Sequence, residues 1–338
     1  MTKFGNGRLR DVAALAGVSP STASKVLSCR LGNARIASQT RDRILAAARE
    51  LNYVPNVHAR RLFRQHSGVI GLVVPSYRRL GSRLFDDRHL VGILAGMEVG
   101  LTRGDCDLLL LFNDENFRRR RRFISLFQEH NIDGLLIWGV YGDEQEWTEL
   151  AAAQFPYLFL TNLPGDRKQW NYIGSDFAGD AGRLLAVWLA QGCRRFGWLG
   201  GKPEISPTRW QEEGMARTLA AAGIDFAAVP KFYGDYQPAA GYANMSRLLE
   251  TGMALDAVIA ADTNIAVGAL RCLRERNRQL PVSALDGLDA DAAEYGICCV
   301  VPDDEQIGEL AVGQLLALVE GRSENVQMKL PGRLRLEK

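Results

Sequence analysis

Two hydrophobic periodicities divide the chain near residue 66: helical spacing before it, and short apolar β-branched runs alternating with helical stretches after it. In the first part Val12, Leu15 and Ala16 fall on one apolar face. Gly17-Val18-Ser19 then interrupts the helix, because glycine accepts a turn backbone and serine is a good N-cap. Pro20 can open the next helix, where its missing N–H costs nothing. That second helix divides into Ala23, Val26 and Leu27, able to pack inward, and Ser21, Ser24, Lys25 and Ser28 on the opposite face. The pattern describes a helix-turn-helix whose second helix enters a major groove, although patterning alone favours an ordinary αα-hairpin. After a polar loop from Ser28 to Arg35, Ser38 can cap a third helix with Ile44, Ala48 and Leu51 as its core stripe. So small a head buries little surface and is marginal alone.

Tyr53 to Arg64, YVPNVHARRLFR, reads as a linker in which Asn56 caps a short helix through Leu62. A helix of that length is unstable in isolation. From Ser67 onward, apolar runs at 69–74, 108–112, 134–138 and 158–161 alternate with helical stretches at 89–101, 119–129 and 144–153. A second series of runs begins at 196–199 and continues at 257–260 and 282–285. Such alternation means parallel sheets covered by helices, here in two halves.

The net charge of +2 becomes informative once it is split. Residues 1–66 hold twelve Lys/Arg against Asp11, Asp42 and Glu50, a net of +9, leaving 29 basic and 36 acidic residues, a net of −7, for the remainder. A basic head suits a polyanion and an acidic body is repelled by one. The six cysteines include no C-x-x-C pair and no accompanying histidine cluster, so neither structural zinc nor another cofactor is expected. Cys298-Cys299 reads as a redox-active pair or, more simply, as two buried small hydrophobes. MTKFGNGRLR lacks the apolar core of a signal peptide and no apolar run approaches a membrane span, so a cytoplasmic location is expected. The five arginines Arg118 to Arg122 read as the opening of a helix, either as a second DNA patch or as a solvated face.

Asp11 to Leu27, of the form D-V-A-x-L-A-G-V-S-x-x-T-x-S-x-V-L, closely resembles the DNA-binding signature of the LacI-type (lactose-repressor) family of bacterial transcription regulators. TRDRI (Thr40 to Ile44) and LNYVPN (Leu51 to Asn56) continue the likeness, which runs along nearly the whole chain. The resemblance implies an all-α helix-turn-helix head over 1–52, a hinge with a short helix over 53–66, and an α/β core over 67–338. That core consists of two parallel-sheet lobes resembling periplasmic sugar-binding proteins, lobe 1 over about 67–172 and 301–324 and lobe 2 over about 173–300 and 325–338. It further implies a homodimer on a pseudo-palindromic operator in double-stranded DNA, acting as a repressor. Ser19, Thr22 and Ser24 would meet phosphates, and Ser21 and Lys25 would reach bases. Family members place Arg more often where Lys25 stands; Lys still donates to guanine, without the bidentate fork. Asn56, Ala59 and Leu62 would contact DNA from the hinge, with Arg60, Arg61 and Arg64 on phosphates. Leu62 is either a minor-groove wedge or plain hinge–core packing.

For the effector the resemblance points to the cleft between the lobes, at Thr161, Gln211, Ala261 and Asp286, with Arg209 near Gln211. Asp286 retains the family's acidic residue, whereas Thr161 stands for an Asp, Gln211 for an Arg and Ala261 for an Asn. Sugar specificity therefore does not carry over. The loop from Tyr77 to His89, with Phe85, is longer than the family pattern and lies near the cleft mouth. A regulator without a small-molecule effector, controlled by a protein partner, is the alternative. An enzyme is the remote one, since no dinucleotide, P-loop, metalloprotease or serine-hydrolase motif is present and nothing pairs Asp262 or Asp286 with a base.

Overall fold

The computed structural model describes residues 7–27, 36–53, 66–76, 84–139, 145–165 and 170–336. The chain divides into two compact units, residues 1–67 and 68–338. Among the described residues no helix is long and apolar enough to cross a membrane.

The first unit contains α1 (Leu9–Leu15), α2 (Pro20–Leu27) and α3 (Ser38–Glu50). Gly17 takes φ +63° between the first two, the left-handed conformation that favours glycine. Val12, Ala13, Ala16, Ala23, Val26, Ile44, Ala47 and Ala48 form the core. Leu15, expected in the buried face, is instead 50% exposed, and Ala13 is buried in its place. The buried arc of α1 is centred among positions 12, 13 and 16 because the helix packs on both α2 and α3, which turns position 15 to solvent.

The second unit holds two six-stranded sheets. The first contains β1 (Val69–Pro75), β2 (Asp107–Asn113), β3 (Gly134–Trp138), β4 (Tyr157–Leu160), β5 (Tyr172–Ser175) and β11 (Gln327–Leu330), in the order β11-β5-β4-β3-β1-β2. The second contains β6 (Phe196–Gly200), β7 (Lys231–Tyr233), β8 (Ala257–Ala260), β9 (Val282–Ala284), β10 (Cys298–Val301) and β12 (Arg333–Arg335), in the order β12-β10-β9-β8-β6-β7. All pairings are parallel except β10 with β12. The central strands β1, β3, β4, β6 and β8 are almost wholly buried, which is why they read as continuous apolar runs.

The covering helices are α4 (Arg88–Gly104), α5 (Glu115–Arg119), α6 (Arg122–Gln128), α7 (Gln145–Ala152), α8 (Phe177–Ala190), α9 (Ser206–Ala221), α10 (Pro238–Glu250), α11 (Thr263–Glu275), α12 (Asp289–Tyr295) and α13 (Asp304–Val319). One crossing is set by glycine. A Cβ at Gly96 of α4 would be driven into the carbonyl oxygen of Glu305, and one at Gly308 of α13 into that of Ile93. The two backbones therefore touch, and the first residue of α13 is drawn against the first turn of α4.

The lobe crossings fall later than the sequence suggests. β5 keeps residues 172–175 in the first sheet. β11, expected in the second lobe with all of 325–338, also lies in the first, because it pairs in parallel with β5 from Gln327↔Tyr172 to Leu330↔Ser175. The last crossing is therefore at Pro331-Gly332, where Asp180 of α8 accepts the Gly332 N–H at 3.0 Å. The Arg118–Arg122 run does not open a single helix either. Arg121, at φ +49°, breaks the segment into α5 and α6. Arg118 pairs with Glu146 at 3.4 Å and Arg122 with Glu129 at 3.2 Å, and Arg121 pairs with Glu149, an arrangement of a solvated face.

Candidate DNA-reading helix and inter-lobe cleft

In the head, Ser19 Oγ accepts the Thr22 N–H at 3.1 Å and so caps α2. The hydroxyls of Ser19 and Thr22 lie 2.8 Å apart. Inward packing of Ala23 and Val26 leaves Ser21 and Lys25 exposed and Ser24 and Thr22 half-buried. Five of the expected DNA contacts thus belong to one short helix and its cap. Ser28, Asn56, Ala59, Leu62 and the hinge arginines Arg60, Arg61 and Arg64 lie outside the described residues, as do positions 77–83 of the long loop.

In the core, Gln211 and Ala261 meet, and Asp286 follows the strand next to the one that Ala261 follows. Ala261 follows β8, and its carbonyl accepts from Gln211 Nε2 at 3.0 Å. Asp286 follows β9, and its carbonyl accepts the Thr263 N–H at 2.9 Å. Gln211 is buried, and its Oε1 has no hydrogen-bond partner among the described residues. The Ala261 side chain is wholly buried.

Thr161 ends β4 at φ +62°. Its carbonyl accepts from the Tyr172 hydroxyl at 3.3 Å, and the Tyr172 ring meets Trp210 edge-on at 5.4 Å. Arg209 is turned to backbone, donating to the carbonyls of Glu204 at 2.6 Å and Gly165 at 3.3 Å. Phe85 is 60% exposed in a single 3₁₀ turn ahead of α4.

The residue that sequence reasoning passed over is His89, in the first turn of α4. Its Nδ1 is 2.8 Å from Asp304 Oδ2 in its own lobe, and its Nε2 is 3.6 Å from Asp286 Oδ1 in the other. Beside it Arg88 meets Asp291 of α12 at 2.8 Å, a second link across the lobes. Burial opposes charge on the His89 ring, but Asp286, Asp304 and Asp87 outweigh it and hold its pKa well above 6.5. Burial pushes Asp286 up to about 7, against the pull of His89, and Asp262 up to about 6. A histidine at the first helical turn after β1 was the available signal; its partners are more than 190 residues away in the chain. At the other edge of the cleft the Leu163 N–H donates to Ser206 Oγ at 2.8 Å, and Trp210 packs on the first lobe's core.

Among the described residues no three His, Cys, Asp or Glu side chains are arranged for a metal ion. Cys299 is buried and its thiol is pushed up to about 11 by burial, the state of a core residue rather than a nucleophile.

The bacterial regulatory protein LacI-family model matches residues 8–56, and a periplasmic-binding-protein-like domain matches 186–336. The chain is 29% identical to the sucrose operon repressor of Klebsiella pneumoniae over 334 residues, covering 97% of each. The chain thus carries a LacI-family DNA-binding segment followed by a periplasmic-binding-protein-like domain. It is also 29% identical over 290 residues to the transcriptional regulator CelR of Thermobifida fusca, covering 85% of this chain and 83% of that one. A solved CelR–cellobiose complex is similar in structure, with a TM-score of 0.70 and 26% identity over 98% of this chain and 99% of that one. The lac repressor dimer bound to operator and the anti-inducer ONPF shares the fold, with a TM-score of 0.80 and 23% identity over 97% of both chains. As in those relatives, a helix-turn-helix head precedes two α/β lobes.

Proposed function

We propose that this chain is a sequence-specific transcription regulator of the LacI family, a repressor that binds a pseudo-palindromic operator as a homodimer and takes an effector between its lobes. The observation that carries the reading is α2, capped by Ser19 and exposing Ser21 and Lys25, on a chain whose core is two-lobed. Ser19, Thr22 and Ser24 hold phosphates, which position the helix, while Ser21 and Lys25 meet base edges, which specify sequence. Asn56, Ala59 and Leu62 add contacts from the hinge. One head reads few base pairs, so two are needed. The edge strand β2, LLLLF over 108–112 with Phe112 half exposed, is an apolar surface of the kind a second copy covers. The cleft residues are Asp286, Gln211, Thr161, Ala261 and Arg209, with Phe85 at the mouth. The protein acts in the cytoplasm and has no catalytic role.

An effector-free regulator is favoured by one feature: Gln211 and Arg209 spend donors on the protein's own carbonyls. Selection of binding sites from random DNA, followed by sedimentation and salt titration, tests the main reading. A dimer on an inverted repeat, with log affinity falling by about 0.9 per log salt for each phosphate neutralised, is expected. A monomer, or affinity indifferent to sequence, refutes it.

A further inference from the structure

DNA recognition makes no use of the first turn of α4, yet this turn stands where the lobes meet and carries two adjacent basic side chains, Arg88 and His89. The positive end of a helix favours anions, so neither side chain is placed there for the stability of α4 itself. Close approach of α13 at Gly92 and Gly96 sets Asp304 Oδ2 2.8 Å from His89 Nδ1, and His89 Nε2 is 3.6 Å from Asp286 Oδ1 in the second lobe. Burial opposes a charge on the ring, but the carboxylates of Asp286, Asp304 and Asp87 prevail and favour its protonated form.

Arg88 meets Asp291 Oδ1 of the second lobe at 2.8 Å. Asp291 lies in the first turn of α12, where a carboxylate is favoured. Its neighbour Asp289 is spent within the second lobe, on Arg333 and Arg335, whereas Asp291 reaches the first. Elsewhere between the lobes the Leu163 N–H donates to Ser206 Oγ at 2.8 Å, and Arg209 donates to the Gly165 carbonyl at 3.3 Å. Each of these contacts runs from protein to protein.

We propose that the chain carries its own latch, in which Arg88 and His89 hold the two lobes together in the free protein through Asp291 and Asp286. The latch stands whether or not an effector enters the cleft. The free core rests with its lobes joined, and a signal that acts by parting them must break both ion pairs. Arg88 is largely exposed, and an exposed pair is weak by itself. Residues 88 and 89 sit on one helical turn, however, so closing either pair presents the other to its partner, and two weak contacts hold better than one.

Hydrogen exchange of the full-length protein, without DNA or added ligand, tests this. The Leu163 amide reports the joined lobes, because its acceptor belongs to the other lobe. The Leu135 amide, bonded to the Pro156 carbonyl within the first lobe, reports that lobe's own stability. We expect Leu163 to be protected in wild type. Arg88→Glu and Asp291→Arg each set like charges together, and each should lower that protection about five-fold or more while leaving Leu135 unchanged. The double variant restores opposite charges and should recover it. His89→Gln, which removes the ring's charge, should lower it by a similar factor. An unprotected Leu163 in wild type overturns the joined resting state. Protection that the single variants leave intact, that the double variant does not recover, or that falls together with that of Leu135 overturns the latch.

Discussion

Gly308 and Gly313 lie five residues apart on α13, and the same substitution should move stability in opposite directions at the two. A Cβ at Gly308 would sit 2.9 Å from the carbonyl carbon of Ile93 and 2.9 Å from the amide nitrogen of Met97, and closer still to the Ile93 oxygen. These are backbone atoms of α4, which have no rotamer to give. The helices must part, loosening the packing of Ile93, Met97, Ile307, Ala311 and Val312, all buried. Overpacking of this kind costs about 3 kcal/mol at the upper end of its usual range. Better helix propensity returns about 1 kcal/mol, so Gly308→Ala should destabilise the core by about 2 kcal/mol. At Gly313 nothing lies within 4 Å of the added Cβ. Gly313→Ala should therefore stabilise by up to about 1 kcal/mol through propensity alone. All six tryptophans lie beyond residue 137, so urea unfolding followed by their fluorescence reports the core without the head. Protein concentration must be held constant, because the stability of the proposed dimer depends on it. Equal effects of the two substitutions, or a stable Gly308→Ala, would refute the close crossing and with it the placement of Asp304 against His89.

Lys25→Ala should relax base preference at one position per half-site by about 1–3 kcal/mol, read by binding-site selection; uniform weakening would make Lys25 a phosphate contact instead. Free hexoses and pentoses should neither raise the thermal midpoint nor release the protein from DNA, because Thr161, Gln211 and Ala261 stand where charged or amide anchors would be; a micromolar hit in a thermal-shift screen that also dissociates the complex contradicts this. Core stability should fall as pH rises from about 4 to about 7, because burial raises Asp262 from 3.8 to about 6 and Asp286 from 3.8 to about 7, so the folded core binds more protons than the unfolded chain across this window; the raised His89 continues the fall above 6.5. Asp286→Asn should flatten the lower part of the profile, and an unchanged profile would contradict the burial of that carboxylate.

The head was legible from local chemistry. Gly17, Ser19 and Pro20 specify a turn, a cap and a helix start within four residues, and the faces of α2 follow from its own spacing. The central strands were legible because burial on both sides leaves an apolar run. β5, β7, β10, β11 and β12 were not, since strands as short as KFY and RLR carry no period and form only where a neighbouring edge accepts them. The placement of β11 depends on pairing with β5 across more than 150 residues, and the break at Arg121 on how α5 and α6 pack, neither of which has a local signal. The site divides in the same way. Strand-end positions such as Asp286 and Ala261 could be found along the chain, because the resemblance points to them and each directly follows an apolar strand run. The meeting of His89, Asp304 and Asp286 could not, because it is made by a glycine crossing of two helices and by the approach of two lobes, and pairing across such distances is a property of the packed chain alone.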